Sequence, residues 1–229
     1  MEKIKVPKKK SKLALILFIA GGIITAVVLV ILYRMYIPYS DLALALKKKD
    51  MSELVSEEEY IREHPEIVTT TSDGTEIISG DFKPVKFEFI DRGIECDLRP
   101  VKMGADRYME TIPSAHDAAW LDDEPYAVPG EVGRAVIAGH NLWRGEQGSF
   151  SLLRKMEVGE KVGVTFDIGF TRYFEVTEIK RGLEYNDKSI MRTEGLTEPV
   201  LTLVTCEGDW DSNIGSSRHR IVVVCKPVG

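Results

Sequence analysis

The chain has 229 residues and a net charge of −6 at pH 7, with 29% charged and 44% hydrophobic residues. This length fits one globular domain with a smaller accessory part. The charge is uneven: residues 1–12 hold six lysines against one glutamate and residues 13–33 hold no charge, which leaves −11 for residues 34–229. Binding to phosphates needs clustered Lys and Arg, so the acidic main part argues against nucleic acid as a partner.

The uncharged stretch at residues 13–33 has the length of a membrane span. It follows the basic tail of residues 1–12 and precedes Arg34. As a helix rising about 1.5 Å per residue, it would span about 30 Å, the thickness of a bilayer core. The alternative, a cleaved signal peptide, usually has an apolar core of about 7–15 residues. We therefore expect an uncleaved single-pass transmembrane helix in the lipid bilayer of the cell membrane, with a cytoplasmic N-terminus and the rest extracytoplasmic.

Residues 34–81 are polar, charged and short of aromatic core formers. Asp41 begins one predicted helix, and the spacing of Ser56 and Glu59 matches a capping box for a second, which His64-Pro65 should end. Residues 69–74 predict a loop. We expect this region to be a stalk that holds the following domain away from the membrane. The alternative is a regulatory segment that covers the functional site.

From residue 82 onwards the sequence alternates in the way typical of β-strands. Predicted strands cover residues 85–89, 94–101, 135–139, 162–166, 173–179, 200–205 and 221–226. Turns are expected at residues 128–130 and 167–169, and loops at 141–148 and 182–198. Short helices are expected within 106–120 and after a Ser149 cap. Many short strands with few helices predict a mainly β domain, either a sandwich or a closed barrel. Residues 82–229 are enough for one core, which buries roughly 70% of the unfolded surface.

Three reactive side chains each lie at the end of a predicted strand. Cys206 follows the strand at residues 200–205, His140 follows residues 135–139, and Arg220 precedes residues 221–226. A strand fixes such a side chain in space, while the adjoining loop leaves it open to a substrate. Neighbouring strands of one sheet would bring the three together, which makes them candidate catalytic residues.

Each of these residues has competitors in the sequence. Cys225 is the rival nucleophile, but it lies inside an apolar strand, where a thiol more often packs. Cys96 and Cys225 either pair or remain two buried free thiols; the sequence leaves both open. The other histidines lack an adjoining apolar strand to fix them: His64, His116 and His219. Arg218 competes with Arg220, but we expect it in a solvated loop.

The chemistry of a Cys–His pair sets a requirement on its surroundings. Only a thiolate attacks, and unperturbed groups at pH 7 would give roughly 3% thiolate and about a quarter imidazolium. The competent ion pair would then form in under about 1% of molecules if the two sites were independent. A nearby cation favours the thiolate, so we expect Arg220 to assist Cys206.

These segments resemble the sortase family. The family's TLxTC segment corresponds to residues 202–206, its strand ending in AGH to residues 136–140, and its Arg before a final apolar strand to Arg220. The order and spacing agree over residues 82–229. The family's usual Ile-Pro in the first strand is absent, since Phe89-Ile90-Asp91 stands there. The resemblance implies a closed eight-stranded β-barrel for the catalytic domain, behind the tail, span and stalk described above.

The resemblance also implies an activity. Sortases cleave an LPxTG-type sorting-signal peptide through a Cys thioester and pass the acyl group to an amine acceptor on a cell-wall precursor or a pilin lysine. The implied roles are nucleophile for Cys206, general acid and base for His140, and substrate or oxyanion hydrogen bonding for Arg220. With an N-terminal anchor and no apolar C-terminal tail, the chain looks most like the housekeeping class A type, which anchors surface proteins. A pilin-polymerising sortase, a hydrolytic cysteine peptidase and a non-catalytic surface-binding module remain alternatives.

No cofactor is predicted. Some sortases bind calcium through acids before the catalytic His and in the loop before the Cys strand. Acids occur in similar places here, at Asp122, Asp123, Glu124, Glu131, Glu184, Asp187 and Glu194. Oxygen ligands suit calcium, but the spacing does not match residue by residue, so we expect a solvated acidic surface and no metal site. The sequence has neither a Gly-rich phosphate loop nor paired-Cys zinc spacing.

Overall fold

The computed structural model describes residues 57–65, 68–70, 76–78, 81–105 and 108–228. The predicted tail and transmembrane helix at residues 1–33 lie outside the described residues, as does the helix predicted at Asp41. In the described part of the chain, no helix is both long enough and apolar enough to cross a bilayer.

Eight strands form a closed barrel in the order β10-β12-β11-β6-β5-β4-β3-β9, which confirms the predicted mainly β fold class. The barrel strands are β3 (Pro84–Phe89), β4 (Ile94–Val101), β5 (Ala118–Leu121), β6 (Gly133–Gly139), β9 (Lys161–Phe166), β10 (Thr171–Glu184), β11 (Pro199–Asp211) and β12 (Ser216–Pro227). Two small hairpins accompany it, β1 (Val68–Thr70) with β2 (Glu76–Ile78) and β7 (Leu142–Trp143) with β8 (Glu146–Gln147). One α-helix, α1 (Glu57–Glu63), and 3-10 helices at Ile90–Arg92, Ser149–Lys155 and Lys188–Met191 complete the described elements.

The core follows from the alternation of side chains along the strands. On β3, Phe87 and Phe89 are fully buried, whereas Glu88 between them is partly exposed. The 3-10 helix at Ser149–Lys155 places Phe150 against both phenylalanine rings, at centroid distances of 5.5 and 5.4 Å. Aromatic pairs at such distances add to the stability that their burial provides. The interior of the barrel is therefore filled with packed side chains, and reactive groups that a substrate could reach must lie on its outer face or at its ends.

The strand β11 lies between β6 and β12 in the barrel. β11 pairs in parallel with β6, with Leu203 opposite Ile137 and Val204 opposite Ala138. It pairs antiparallel with β12, forming a long hairpin that has a bulge between Glu207 and Trp210. A parallel pair needs a crossover connection, and here residues 140–198 supply it. Residues distant in sequence thus end up side by side.

The helix α1 packs on the barrel. The Tyr60 hydroxyl donates to the Ile168 carbonyl oxygen at 2.9 Å, and its ring lies 5.1 Å from the Phe170 ring. Ile168 and Phe170 flank the start of β10, whereas Leu183, near the end of β10, pairs with Arg220. This described helix of the predicted stalk therefore contacts the end of the barrel away from Arg220. As predicted, it ends before His64-Pro65.

Several local predictions differ from the structure. The short helix predicted within residues 106–120 does not occur in the described part of that segment, whose last residues belong to β5. The 3-10 helix after Gly148 forms as predicted, but Ser149 does not cap it; its hydroxyl donates to the His116 carbonyl oxygen at 3.2 Å. Residues 69–70 lie in β1, where a loop was expected.

Candidate active site

Cys206 and Arg220 lie directly opposite each other on β11 and β12. Directly opposed residues of antiparallel strands have Cβ atoms about 4.5–5.5 Å apart and project to the same face. Leu203 and Ile221, at alternate positions of the same strands, belong to the core, so Cys206 and Arg220 project outward. Both are partly buried. The hairpin therefore presents a thiol and a guanidinium on the outer face of the barrel.

His140 reaches the same place from β6. The parallel register of β6 and β11 ends with Ala138 opposite Val204, and two residues further along the chains stand Cys206, within β11, and His140, directly after the last residue of β6. Side chains two positions apart share a face of a strand. The imidazole of His140 therefore projects to the face that carries the thiol, on the strand next to it. The structure thus brings the three predicted site residues to adjacent strands at one edge of the barrel.

A buried hydrogen bond holds this edge together. The Thr205 hydroxyl donates to the Gly139 carbonyl oxygen at 2.8 Å, and Thr205 is only 2% exposed. The two residues immediately precede Cys206 and His140 in the chain. The bond therefore fixes the distance between the backbone that carries the thiol and the backbone that carries the imidazole.

The imidazole of His140 is oriented by two contacts. Its Nε2 lies 2.9 Å from the Ile112 carbonyl oxygen. Because a carbonyl oxygen only accepts, Nε2 carries the proton and donates it, which leaves Nδ1 as the unprotonated nitrogen of the neutral ring. The ring also stacks on the Trp143 indole, with centroids 4.4 Å apart and an interplanar angle of 23°. Among the described residues Nδ1 has no hydrogen-bond partner, so it is the nitrogen available for proton transfer.

The guanidinium of Arg220 is bound by its own hairpin. Nη1 donates to the carbonyl oxygens of Ser217 at 2.7 Å and His219 at 2.9 Å, and Nη2 donates to the Ser216 hydroxyl at 2.8 Å. Of its five N–H donors, the Nε–H and one Nη2–H have no acceptor among the described residues. The guanidinium therefore keeps N–H donors that an oxygen atom of a substrate can accept.

Two expectations about this edge need correction. Residues 207–209 and 216–219 were expected to be loops, but β11 runs to Asp211 and β12 starts at Ser216, so Cys206 and Arg220 lie inside a hairpin. In the described part of the chain, moreover, no hydrogen bond joins any two of the three side chains. The strands bring them to one edge, and Arg220 is held by Ser216 and Ser217 instead of by the thiol.

The rival thiols are packed in the core. Cys96 and Cys225 are 2% and 0% exposed and are both free, so the alternative of two buried thiols is correct. Burial raises the pKa of Cys96 to about 12 and raises the pKa of Cys225 even further above its ordinary range. Both therefore remain protonated at neutral pH and cannot act as nucleophiles. Cys206 is the one partly exposed thiol of the described residues.

The competing cations have other partners. Arg218 lies in β12, where a loop was expected, and forms an exposed ion pair with Asp211 at 2.5 Å. His219 lies opposite Glu207 and has its Nε2 3.6 Å from Glu184. As the residue next to Arg220 on a strand, it projects to the other face. Neither side chain joins the arrangement of Cys206 and His140.

The two other described histidines contact groups outside the candidate site. His64 stacks on Tyr60, with ring centroids 4.1 Å apart, beside the helix α1. The Nε2 atom of His116 is 2.9 Å from a carboxylate oxygen of Glu146. That contact connects the segment before β5 to the small hairpin that follows His140.

Among the described residues, no three His, Cys, Asp or Glu side chains come close enough together to hold a metal ion. The acids considered for calcium serve other roles. Asp123 accepts from the Met103 amide at 3.3 Å, and Asp187 accepts from the Ser189 amide at 2.8 Å, which lowers the pKa of Asp187.

Sequence reasoning missed the groups that hold the site residues in place: Ile112, Trp143, Thr205, Ser216 and Ser217. For Trp143, the sequence does contain a signal. Arg144-Gly145 is a two-residue turn between Trp143 and Glu146, and a Gly at the second position is typical of a tight hairpin. Recognising that hairpin would have predicted that Trp143 folds back toward His140.

Comparison with known proteins finds one matching family and several similar structures. The model of the Sortase domain family matches residues 96–228. Sortase A from Corynebacterium diphtheriae (lid mutant) is similar in structure, with 20% identity, a TM-score of 0.49 and coverage of 66% of this chain and 73% of that chain. Listeria monocytogenes sortase A has 18% identity and a TM-score of 0.48, with coverage of 64% of this chain and 88% of that chain. Sortase C from Clostridium perfringens SM101 has 16% identity and a TM-score of 0.45, with coverage of 67% of this chain and 73% of that chain. No curated protein matches. Since the family model covers more than half of the chain, the chain belongs to the sortase family, a family of cysteine transpeptidases.

Proposed function

We propose that this protein cleaves an LPxTG-like sorting signal through a thioester on Cys206 and transfers the acyl group to an amine of a cell-wall precursor, thereby anchoring surface proteins. The observation that carries the proposal is the convergence of Cys206, Arg220 and His140 on three adjacent strands of a sortase domain. The buried state of the other two thiols supports Cys206 as the nucleophile.

The first half of the reaction uses the orientation of His140. The Cys206 thiolate attacks the carbonyl carbon of the scissile peptide bond, and the carbonyl oxygen becomes an oxyanion. The Nδ1–H of the His140 imidazolium protonates the departing amine as the C–N bond breaks, which leaves a thioester. Throughout, the Nε2–H remains donated to the Ile112 carbonyl oxygen, so the exchanged proton is the one on Nδ1.

In the second half, neutral Nδ1 takes a proton from the incoming amine, which attacks the thioester and releases the thiolate. The remaining N–H donors of the Arg220 guanidinium bind the oxyanion or the substrate backbone, while Ser216 and Ser217 hold the rest of the group in place. Removal of one oxyanion donor typically costs on the order of 10²–10³ in rate.

The setting is part of the proposal. A single-pass anchor at residues 13–33, with the lysine-rich tail in the cytoplasm, would place the catalytic domain on the outside, where sorting signals and cell-wall amines are found. Calcium is not part of the proposal, because the acids near the barrel edge are engaged by backbone amides and cations.

The test uses the full-length protein and its Cys206→Ala and Arg220→Ala variants. Each is incubated with a library of sorting-signal peptides and two amines, triglycine and a pilin-derived lysine peptide, and the products are identified by mass spectrometry. We expect a peptide joined to triglycine with the parent protein, none with Cys206→Ala, and a rate about 10²–10³ lower with Arg220→Ala.

The other outcomes are equally informative. Transfer to the lysine peptide alone would replace the cell-wall role with pilin polymerisation. Cleavage without transfer would indicate a hydrolytic cysteine peptidase. If no peptide gives a product that depends on Cys206, and iodoacetamide fails to label Cys206 at neutral pH, the chain is a binding module and the proposal is wrong.

A further inference from the structure

The small hairpin β7–β8 follows His140 immediately and folds back over it. Only Asn141 separates His140 from β7, and Trp143, the last residue of β7, stacks on the imidazole with centroids 4.4 Å apart. Leu142, its neighbour on the same strand, is 61% exposed. The hairpin thus directs an aromatic ring toward the catalytic histidine while leaving a large apolar side chain in solvent.

Both residues of the turn in this hairpin, Arg144 and Gly145, have a left-handed backbone conformation. Arg144 has φ of 50°, the one positive φ outside glycine among the described residues, and Gly145 follows with φ of 85°. A left-handed conformation at a residue other than glycine costs about 1–2 kcal/mol. The Arg144 guanidinium lies 5.4 Å from the centre of the Trp143 ring, within cation–π distance. With this turn, the Arg144 side chain packs on the Trp143 ring.

The hairpin is also fastened to the barrel. Glu146, opposite Trp143, binds His116 at 2.9 Å. After the hairpin, the Gly148 amide donates to the Asn141 carbonyl oxygen at 3.0 Å, and a Cβ at Gly148 would overlap the His140 carbonyl oxygen. The segment that returns from the hairpin is thus pressed against the backbone of His140. Trp143 has little freedom to move away from the imidazole.

We propose that Trp143 is a positioning residue for His140. The Ile112 carbonyl oxygen fixes one point of the imidazole, its Nε2–H, and the Trp143 indole fixes the plane of the ring. With both contacts present, rotation about the Cβ–Cγ bond of His140 is restrained, so Nε2 stays on the carbonyl oxygen and Nδ1 keeps one orientation. The catalytic consequence rests on the function proposed above; the orientation of the ring does not.

This role predicts a defect in turnover and not in substrate binding. A ring free to rotate spends only part of its time in the productive orientation, and small misplacement of a catalytic group can cost about 10²-fold in rate. We expect Trp143→Ala to lower kcat by about 10- to 100-fold with little change in KM. Trp143→Phe keeps a stacking ring and should restore most of the rate. Leu142→Ala removes a similar apolar side chain from the same strand, so it is the matched control and should be neutral.

A second measurement is independent of activity. Full-length protein labelled with nitrogen-15 at its histidines is studied by NMR at about pH 8.5, where ordinary imidazoles are neutral; His140→Ala assigns the signals. We expect the parent and Trp143→Phe to show His140 with a protonated Nε2 and an unprotonated Nδ1. Trp143→Ala should show averaging between the two neutral forms as the ring leaves the Ile112 carbonyl oxygen. Circular dichroism checks that each variant is folded.

The two measurements separate the possible failures. If Trp143→Ala keeps both the parent's kcat and its His140 signals, the proposal is overturned. It is also overturned if the signals average while kcat stays unchanged, because the orientation would then not matter for turnover. If the parent has no transpeptidase activity, the proposed function fails, and the NMR comparison still decides whether Trp143 holds the imidazole. If Trp143→Ala does not fold, Trp143→Leu provides the same comparison without the aromatic ring.

Discussion

The hydrogen bond from Thr205 to Gly139 offers a sharp test of how the active site is assembled. Thr205→Val keeps the shape of the side chain and removes the hydroxyl that donates from β11 to the Gly139 carbonyl oxygen at the end of β6. Loss of a hydrogen bond costs about 0.5–1.5 kcal/mol net. Because Thr205 is 2% exposed, water cannot replace the lost donor, which places the cost near the top of that range. We expect a loss of about 1.5 kcal/mol, or about 3–6 °C in Tm for a domain of this size.

The same substitution should affect turnover more than the fold. The lost bond joins the residues just before Cys206 and His140, so the two reacting groups gain freedom relative to each other. A misplacement of about 1 Å can cost about 10²-fold, and a decrease in kcat of at least about tenfold is expected. Urea denaturation measures the first effect, and transfer of a sorting-signal peptide to triglycine measures the second.

Thr205→Ser is the matched control for this experiment. It loses a methyl group but keeps the hydroxyl, so it should retain the kcat of the parent while losing about 1 kcal/mol of stability from reduced packing. Equal kcat values for the valine and serine variants would refute the reasoning, because they would show that the cross-strand bond does not align the site.

Three further predictions concern the barrel. Gly139→Ala places a Cβ into the Phe150 ring, so the free energy of unfolding should fall by about 1–3 kcal/mol; an unchanged urea midpoint would contradict this close approach. Burial raises the pKa of Cys96 from 9.0 to about 12, so the folded state holds a proton that the unfolded state releases. Cys96 should therefore contribute a fall in stability above about pH 9 of up to about 1.4 kcal/mol per pH unit, so the slope should be smaller in Cys96→Ala; identical slopes would contradict the burial. Tyr60→Phe removes the 2.9 Å bond to Ile168, so limited proteolysis should cut near α1 several-fold faster while the urea midpoint of the barrel stays the same; equal protection would show that α1 is held by other contacts.

The sequence predicted the barrel well because its strands carry strong local signals. The strand at residues 94–101 has the predicted bounds, since apolar and polar residues alternate on it from Ile94 to Arg99. β5 was missed because all four of its residues are buried, which removes the alternation, and an apolar run of four cannot be told from a helix by periodicity. The extension of β11 and β12 past Cys206 was missed because Gly208 and Asp209 disfavour strands. The bulge there accommodates them within the hairpin.

The three candidate site residues could be picked out from the sequence, but the contacts around them could not. Apolar runs beside Cys206, His140 and Arg220 mark these residues in the sequence, although β11 and β12 continue past Cys206 and Arg220 in the structure. The group of Ile112 that contacts His140 is its backbone carbonyl oxygen, which every residue type has, so the sequence could not predict this contact. The binding of Arg220 by Ser216 and Ser217 depends on a hairpin register that the sequence does not specify. Positions of strands were therefore easier to predict than the partners of their side chains.

The parallel pairing of β6 and β11 affects the stage of folding at which the active site forms. His140 and Cys206 are separated by a connection that includes β7 to β10, and their strands pair only after this segment has closed into a loop. Pairing over such a separation carries a large loop-closure entropy and comes late in folding. An incompletely folded chain thus has a thiol without its histidine. We therefore expect no transfer of a sorting signal until the barrel has closed.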